Sequence, residues 1–507
     1  SVFRSCRTDT FGGAAIGLSY SVNPLYFSIE VCEFSSNSSA GGGSSIFIEK
    51  TVTFSSDSVV RNSKFFMNED LRGGTFKANL ASSLALVECE FTRNKSQADV
   101  LSITLETSTA SLVLEKCIFR DNQSEVTVEV SGLSVASVLM LKSSEFHNNS
   151  CLSVINAQKC LVKVENSSLS FNKGPINLYT AVMQAANLIF KSNTSSGEGG
   201  AFVLTEAAEL YCKSCLIQFS KAQSAGAISV SNKSLIEILD SQFLSNSVEG
   251  TGSTLYFFNT RRKNSVKGST FQYNQGQRLM VLVESGLTIE GSLISYNNST
   301  LSPSIYLQNS EITVRNSAFN NQFGSDAAFF TLASSSTATV TNSTFSKGDS
   351  LEAAVIYVSD SALTLDHCTI TDIKSKAKSA VYATRSSIKV KDTSVTSIIS
   401  ESSSAFLDIE GGTVLFESVA IADFKQTAIY ASSVTDFNMT LSSIERGEGS
   451  SSTGIVLEDF NKASISLSSF KHNRATNSAG VASFDCVLKG CVLEIRECLF
   501  FNNSANS

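Results

Sequence analysis

"SLVLEKCIFRDN", residues 111–122, decides the reading of this chain. Leu112 and Leu114 alternate with Val113 and Glu115, the period of two that puts successive side chains on opposite faces of a strand. The polar pair Glu115-Lys116 breaks the alternation, which predicts a bend. Cys117 and Phe119 then resume one face, and Asn122 follows three places after the Phe. The same order returns as "CEFSSN" (32–37) and "CEFTRN" (89–94), and as "GLTIEGSLI", "EITVRNSAF", "ALTLDHCTI", "SIKVKDTSV" and "VLEIRECLF" further along.

Anchored on its apolar residue, the motif occurs twenty times, about 26 residues apart. The anchors are Phe3, Phe34, Phe65, Phe91, Phe119, Phe146, Leu169, Phe190, Ile217, Phe243, Phe271, Ile294, Phe319, Phe345, Ile370, Val395, Ile421, Ile444, Phe470 and Phe500. Two places before the anchor stands Ser, Thr or Cys, except at Leu188 and Val419. Some ten residues after it, small residues lead into a further apolar alternation: "GGAAI" (12–16), "GGAFV" (199–203), "GAISV" (226–230), "AAVIYV" (353–358), "SAVYA" (379–383) and "TAIYA" (427–431). A fixed period of this size marks a stacked-repeat architecture. Three short strands per unit predict an all-β fold, a single-stranded right-handed parallel β-helix of about 19–20 coils. Residues 1–507 read as one continuous domain, part of a longer chain.

In a solenoid equivalent residues lie above one another. Phe34, Phe65, Phe91, Phe119, Phe146, Phe190, Phe243, Phe271, Phe319, Phe345, Phe470 and Phe500 are therefore expected to stack as a core ladder. A small residue two places earlier leaves room for them. Asn37, Asn68, Asn94, Asn122, Asn149, Asn172, Asn193, Asn246, Asn274 and Asn297 are expected to form an amide ladder and to take the left-handed backbone of a tight corner. In the coils of Ile370, Val395 and Ile421 that corner residue becomes Ile373, Ile398 and Phe424, a block change that stacking between neighbours predicts. Only three Pro occur (Pro24, Pro175, Pro303), as suits a chain whose N–H groups feed inter-coil bonds.

These residues resemble the right-handed β-helix repeats of the pectin-lyase-like superfamily. More narrowly, Phe34/Asn37, Phe91/Asn94, Phe119/Asn122, Phe243/Asn246 and Phe470/Asn473 resemble the FxxN repeats of chlamydial polymorphic membrane proteins, and similar repeats of protist surface proteins. "GGAAI", "GGAFV" and "GAISV" stand near their GGAI element. The resemblance covers essentially the whole chain and implies surface display and adhesion.

The net charge of −7 disfavours nucleic acid, which calls for a basic face. No run of about 18 apolar residues exists, so no membrane-spanning helix is expected. Twelve Cys with abundant Ser, Thr and Asn suit an extracellular or cell-surface setting. The sequence holds twelve N-x-S/T sequons, and Asn148, Asn166, Asn232, Asn298, Asn342 and Asn438 are candidate glycosylation sites. Cys151/Cys160 and Cys486/Cys491 bracket short loops and are candidate disulfides. Cys212 and Cys215 read as two solenoid thiols or a local disulfide. Cys32, Cys89, Cys117, Cys215, Cys368 and Cys498 occupy the small inward slot, where Cys is a good buried filler; in adjacent coils, with Cα atoms expected about 5 Å apart, Cys89 and Cys117 also fall inside the disulfide window.

A carbohydrate-cleaving enzyme would need clustered carboxylates on an outer strand face. His147, His367 and His472 fall in repeat or corner positions, and Glu69, Asp70 and Asp366 read as solvated charge. No catalytic residue, cofactor or metal ligand is therefore assigned. "TRRKNSVKG" (260–268) and "IKSKAKS" (373–379) read as solvated corner loops. Without Trp, stacking on sugars would fall to Tyr256, Tyr306 or Tyr357. The expectation is a non-catalytic structural surface solenoid, self-associating head-to-tail or bound to other surface proteins. The alternative is an adhesin for host or glycan ligands, and a polysaccharide lyase or hydrolase stands behind both.

Overall fold

The computed structural model describes the chain except residues 9–13, 20–23, 41, 50–51, 53–57, 72, 251–252, 301–303, 325–326, 351–354, 402–403, 451, 477–479, 487–489 and 506–507. The glycines of "GGAAI" and the first alanines of "AAVIYV" thus lie outside the described residues. Every element among the described residues is a β-strand, and the strands pair in parallel. The chain gathers into two compact units, Ser1–Arg262 and Lys263–Ser507.

In the first unit one coil runs through β1 (Ser83–Val87), β2 (Glu90–Thr92), the two-residue β3 (Lys95–Ser96) and β4 (Asp99–Leu105). The anchor strand β2 is continued past the Asn corner by β3, a segment that the sequence did not announce. Phe91 is in register with Phe65 on one side and Phe119 on the other. Leu84 and Leu86 pair with Leu112 and Leu114, and Leu101 and Ile103 with Val128 and Val130. All of these are buried. Along Phe3, Phe34, Phe65, Phe91, Phe119 and Phe146 the ring centroids stand 4.5–4.9 Å apart with planes within 5° of parallel. Truncating one such buried ring to Ala costs about 3–5 kcal/mol.

Two corners flank the anchor strand of each of these coils, and each turns on a residue with positive φ. After β1 it is the second residue of the polar pair, Glu88 in this coil and Lys116 in the next. After β2 it is Arg93, then Asp121, with φ of 53° and 54°. This corrects the expectation for Asn. The left-handed residue is the exposed one just before it, while Asn94 itself points inward. The amide can reach the neighbouring coils only from there. Asn94 Oδ1 accepts the Asn68 N–H at 3.1 Å and its Nδ2 at 3.0 Å, and Asn94 Nδ2 donates to the Phe65 carbonyl at 2.9 Å. The pattern repeats through Asn122, Asn149, Asn172 and Asn193. A corner N–H cannot join the strand ladder, and the side chain of the next coil satisfies it.

The small slot before the anchor works in the same way. The Cys117 N–H donates to Ser144 Oγ, and the Ser144 N–H to Ser167 Oγ, at 3.2 and 3.1 Å. Serine is thus more than a small filler here: its hydroxyl caps the corner of the coil before it.

In the second unit β5 (Ala362–Asp366), β6 (Thr369–Ser375), β7 (Val381–Lys391) and β8 (Ser394–Ser400) show the block change. With Ile373 and Ile398 at the corner, anchor strand and corner strand run on as one, and Ile373, Ile398 and Phe424 stack in register. On either side the amide order holds: Asn274 bonds Asn297, and Asn473 bonds Asn503. Phe319 stacks on Phe345 at 5.1 Å and Phe470 on Phe500 at 5.0 Å. Leu493, Ile495 and Phe500 hold equivalent positions in the last described coil and are 40–50 % exposed, so stacking on both sides is what buries the rest.

The cysteines are corrected in part. Cys486–Cys491 is bonded, as is Cys212–Cys215, whose Cα atoms lie 6.1 Å apart across the corner at Ser214. Cys151 and Cys160 are free thiols. Cys151 stands near the corner strand and donates to the Lys173 carbonyl at 2.9 Å, whereas Cys160 is buried beyond a different corner, at Lys159. Cys89 and Cys117 are buried free thiols in adjacent coils.

Candidate functional site

The fourth residue after each anchor faces outward on the corner strand. In the first unit six of them in succession are Lys95, Gln123, Ser150, Lys173, Thr194 and Lys221, joined rung to rung by parallel bridges. They floor an open groove of about 920 Å³ whose other wall includes Gln97, Glu125, Leu152, Gly174 and Ser196. Lys95 meets Glu69 at 3.5 Å and Lys221 meets Glu249 at 2.5 Å. One side chain per coil, spaced by the inter-strand distance of about 4.8 Å, gives a straight row of hydroxyls, amides and ammonium groups. Such a row can hydrogen-bond an extended polymer along its length.

Two carboxylates stand on β4 and on its counterpart in the next coil. Asp99 is mostly buried, and burial pushes its carboxyl up to about 6 against the hydrogen bond of Ser102; the charge of Glu125 adds to the rise. Burial likewise pushes Glu129 up to about 7, against the hydrogen bond of Asn156, with a contribution from Asp99. Ser102 is the register partner of Glu129 and hydrogen-bonds Asp99, which sets the two carboxylates near one another. Neither was legible from the repeat, since outward positions follow none. Asp70, read as solvated, is buried, and its Oδ1 accepts the Gly73 N–H at 2.6 Å.

In the second unit the equivalent column runs Lys374, Ile399, Lys425, Glu448, Arg474. It borders an open cleft of about 700 Å³, with Ile373, Ile398 and Phe424 behind it. Arg446 lies beside the column and is held by Asp423 through two bonds of 2.6 and 2.9 Å. That guanidinium holds the Asp423 carboxyl below the usual range.

The remaining candidates fall elsewhere. His147 bonds Ser170 at 3.0 Å and His472 bonds Asn502 at 3.0 Å. His367 lies 2.8 Å from Asp366 and 3.6 Å from Asp392, the one His/Asp trio among the described residues that could hold a metal ion. Tyr357 stacks on Tyr382, but Arg278 covers the ring of Tyr306 and Lys378 that of Tyr382, each at 4.0 Å. Tyr256 is partly buried. Asn148, Asn166, Asn232, Asn298, Asn342 and Asn438 are all exposed.

A profile described as "Right handed beta helix region" matches residues 213–370 and 353–507, together more than half of the chain. No curated protein matches. Among solved structures, a mutant of a PL6-family alginate lyase is 9% identical, with 99% of this chain and 97% of that one covered at a TM-score of 0.24. The repeat, the parallel register and the matched profile agree, and the chain belongs to the right-handed β-helix family.

Proposed function

We propose that this chain is a non-catalytic surface solenoid, displayed outside the cell, that holds extended glycans along its corner-strand column. One observation carries the reading: the groove of the first unit, where Lys95, Gln123, Ser150, Lys173, Thr194 and Lys221 offer one polar side chain per coil in a straight row. A linear polymer meets such a row at every rung, so weak contacts add up along it. The test is calorimetric titration with linear oligosaccharides of increasing length. Affinity should rise with length up to the span of the row, and Thr194→Trp, which fills the groove, should weaken it by at least about tenfold. Binding that ignores both length and Thr194→Trp overturns the reading.

A second reading rests on Asp99 and Glu129. Two neighbouring carboxyls with raised pKa are the groups that acid–base cleavage of a glycosidic bond uses. Incubation with polysaccharides, read as new reducing ends, decides it. Release by the parent chain that is lost in both Asp99→Asn and Glu129→Gln would put cleavage in place of holding.

A further inference from the structure

We propose that the cleft of the second unit binds an acidic peptide in the polyproline II conformation, with one carboxylate at every third residue. The inference is independent of the glycan groove, which lies in the other unit, so either can fail alone.

Its basis is the order of side chains along one column. Lys374, Ile399, Lys425, Glu448 and Arg474 are all exposed and follow one another coil by coil. Cations thus stand at alternate levels, with an apolar residue at one level between them and a carboxylate at the other. Among the described residues, Lys374, Lys425 and Arg474 make no ion pair, whereas Arg446 beside them is engaged by Asp423. The three cations are therefore available to a ligand.

The spacing selects the ligand. Two coils at the inter-strand distance separate successive cations by about 9.6 Å. A polyproline II helix has three residues per turn at about 3.1 Å each, so one edge repeats every ~9.3 Å. An acid at every third position then meets Lys374, Lys425 and Arg474 in turn, and the mismatch over the whole row is under about 1 Å. A β-strand repeats one face every ~6.8 Å and falls out of step after one contact. A polyanion charged at every rung would set carboxylates against Ile399 and Glu448, so the alternation also disfavours a uniformly charged glycan. Ile399, 43 % exposed, offers an apolar surface for the pyrrolidine rings between the acids.

The experiment uses the full chain and a fluorescein-labelled peptide of four Glu-Pro-Pro repeats, read by anisotropy. Comparators are the same residues rearranged into a Glu block and a Pro block, and a labelled polygalacturonate oligomer. The expected result is binding of the repeat peptide at least about tenfold tighter than of the block peptide, with loss of about tenfold in Lys425→Glu and no change in the distant Lys462→Glu. Equal affinity for the two peptides would mean unspecific charge attraction and overturn the proposal. So would preference for the oligomer, or absence of binding with circular dichroism showing Lys425→Glu and the parent equally folded.

Discussion

The ring of Phe424 fills the space that a side chain on Gly447, one coil later, would need. A Cβ built on Gly447 runs into the far edge of that ring, while the Gly447 N–H still donates to Asn473 Oδ1 at 2.9 Å. Glycine is thus the joint between two kinds of ladder: it yields its volume to the apolar block and its backbone to the amide row. Gly348 stands before the block in the same way, facing Phe329 and Val355.

Gly447→Ala should therefore destabilise the second unit by about 1–3 kcal/mol, the cost of overpacking. In a Phe424→Ala background the same change should cost much less, because the obstructing ring is gone. Urea unfolding of the four variants measures the coupling, and additive effects would show that the ring and the glycine do not compete for one space.

Asn122→Ala removes the acceptor of the Asn94 N–H and side chain and the donor to the Phe91 carbonyl, at 2.9, 3.1 and 2.8 Å. These groups are buried, and each unsatisfied one costs about 1–3 kcal/mol. A loss near 3 kcal/mol is expected in chemical denaturation. Alanine at exposed Asn148, one residue from the ladder, should cost well under 1 kcal/mol beside it.

Asp99 and Glu129 fix a pH dependence. Their carboxyls sit at about 6 and about 7 when folded, above ordinary values near 4 when unfolded. The folded state therefore holds protons that the unfolded state has released, and stability falls as pH rises from about 4 to 7. Thermal melts should be higher at pH 5 than at pH 7.5, and Asp99→Asn with Glu129→Gln should flatten that slope. A slope unchanged by the double substitution would assign it to other groups.

The sequons divide by the same geometry. Asn37, Asn94, Asn122, Asn193 and Asn297 begin sequons but are buried in the amide rows. Asn148, Asn166, Asn232, Asn298, Asn342, Asn438 and Asn502 are exposed. Expressed through a secretory pathway that glycosylates Asn, the folded product should carry glycans only among the exposed group, as peptide mass spectrometry after enzymatic deglycosylation would show. A glycan on Asn94 or Asn122 in folded material would contradict the inward amides.

The parts of the fold legible in the sequence are those where stacking forces identity upon a position. Phe91 and Phe119 had to be alike because each lies on the other, at 4.8 Å and 4°. The left-handed corner was not legible because its occupants are exposed and varied: Arg93, Asn148 and Phe171 all serve. The hydroxyl caps were hidden behind a simpler reason for Ser, its size. The nearness of Cys151 and Cys160 in sequence misled because a coil carries the chain to a different corner within nine residues. Both clefts escaped for a related reason. Their character lies in how outward residues differ from coil to coil, and a repeat displays only what stays the same.

The corner caps all point one way. The N–H groups of Asn94 and Cys117 find their acceptors on Asn122 and Ser144, each in the following coil. During synthesis every turn of the ladder thus leaves open valences that only its successor can close.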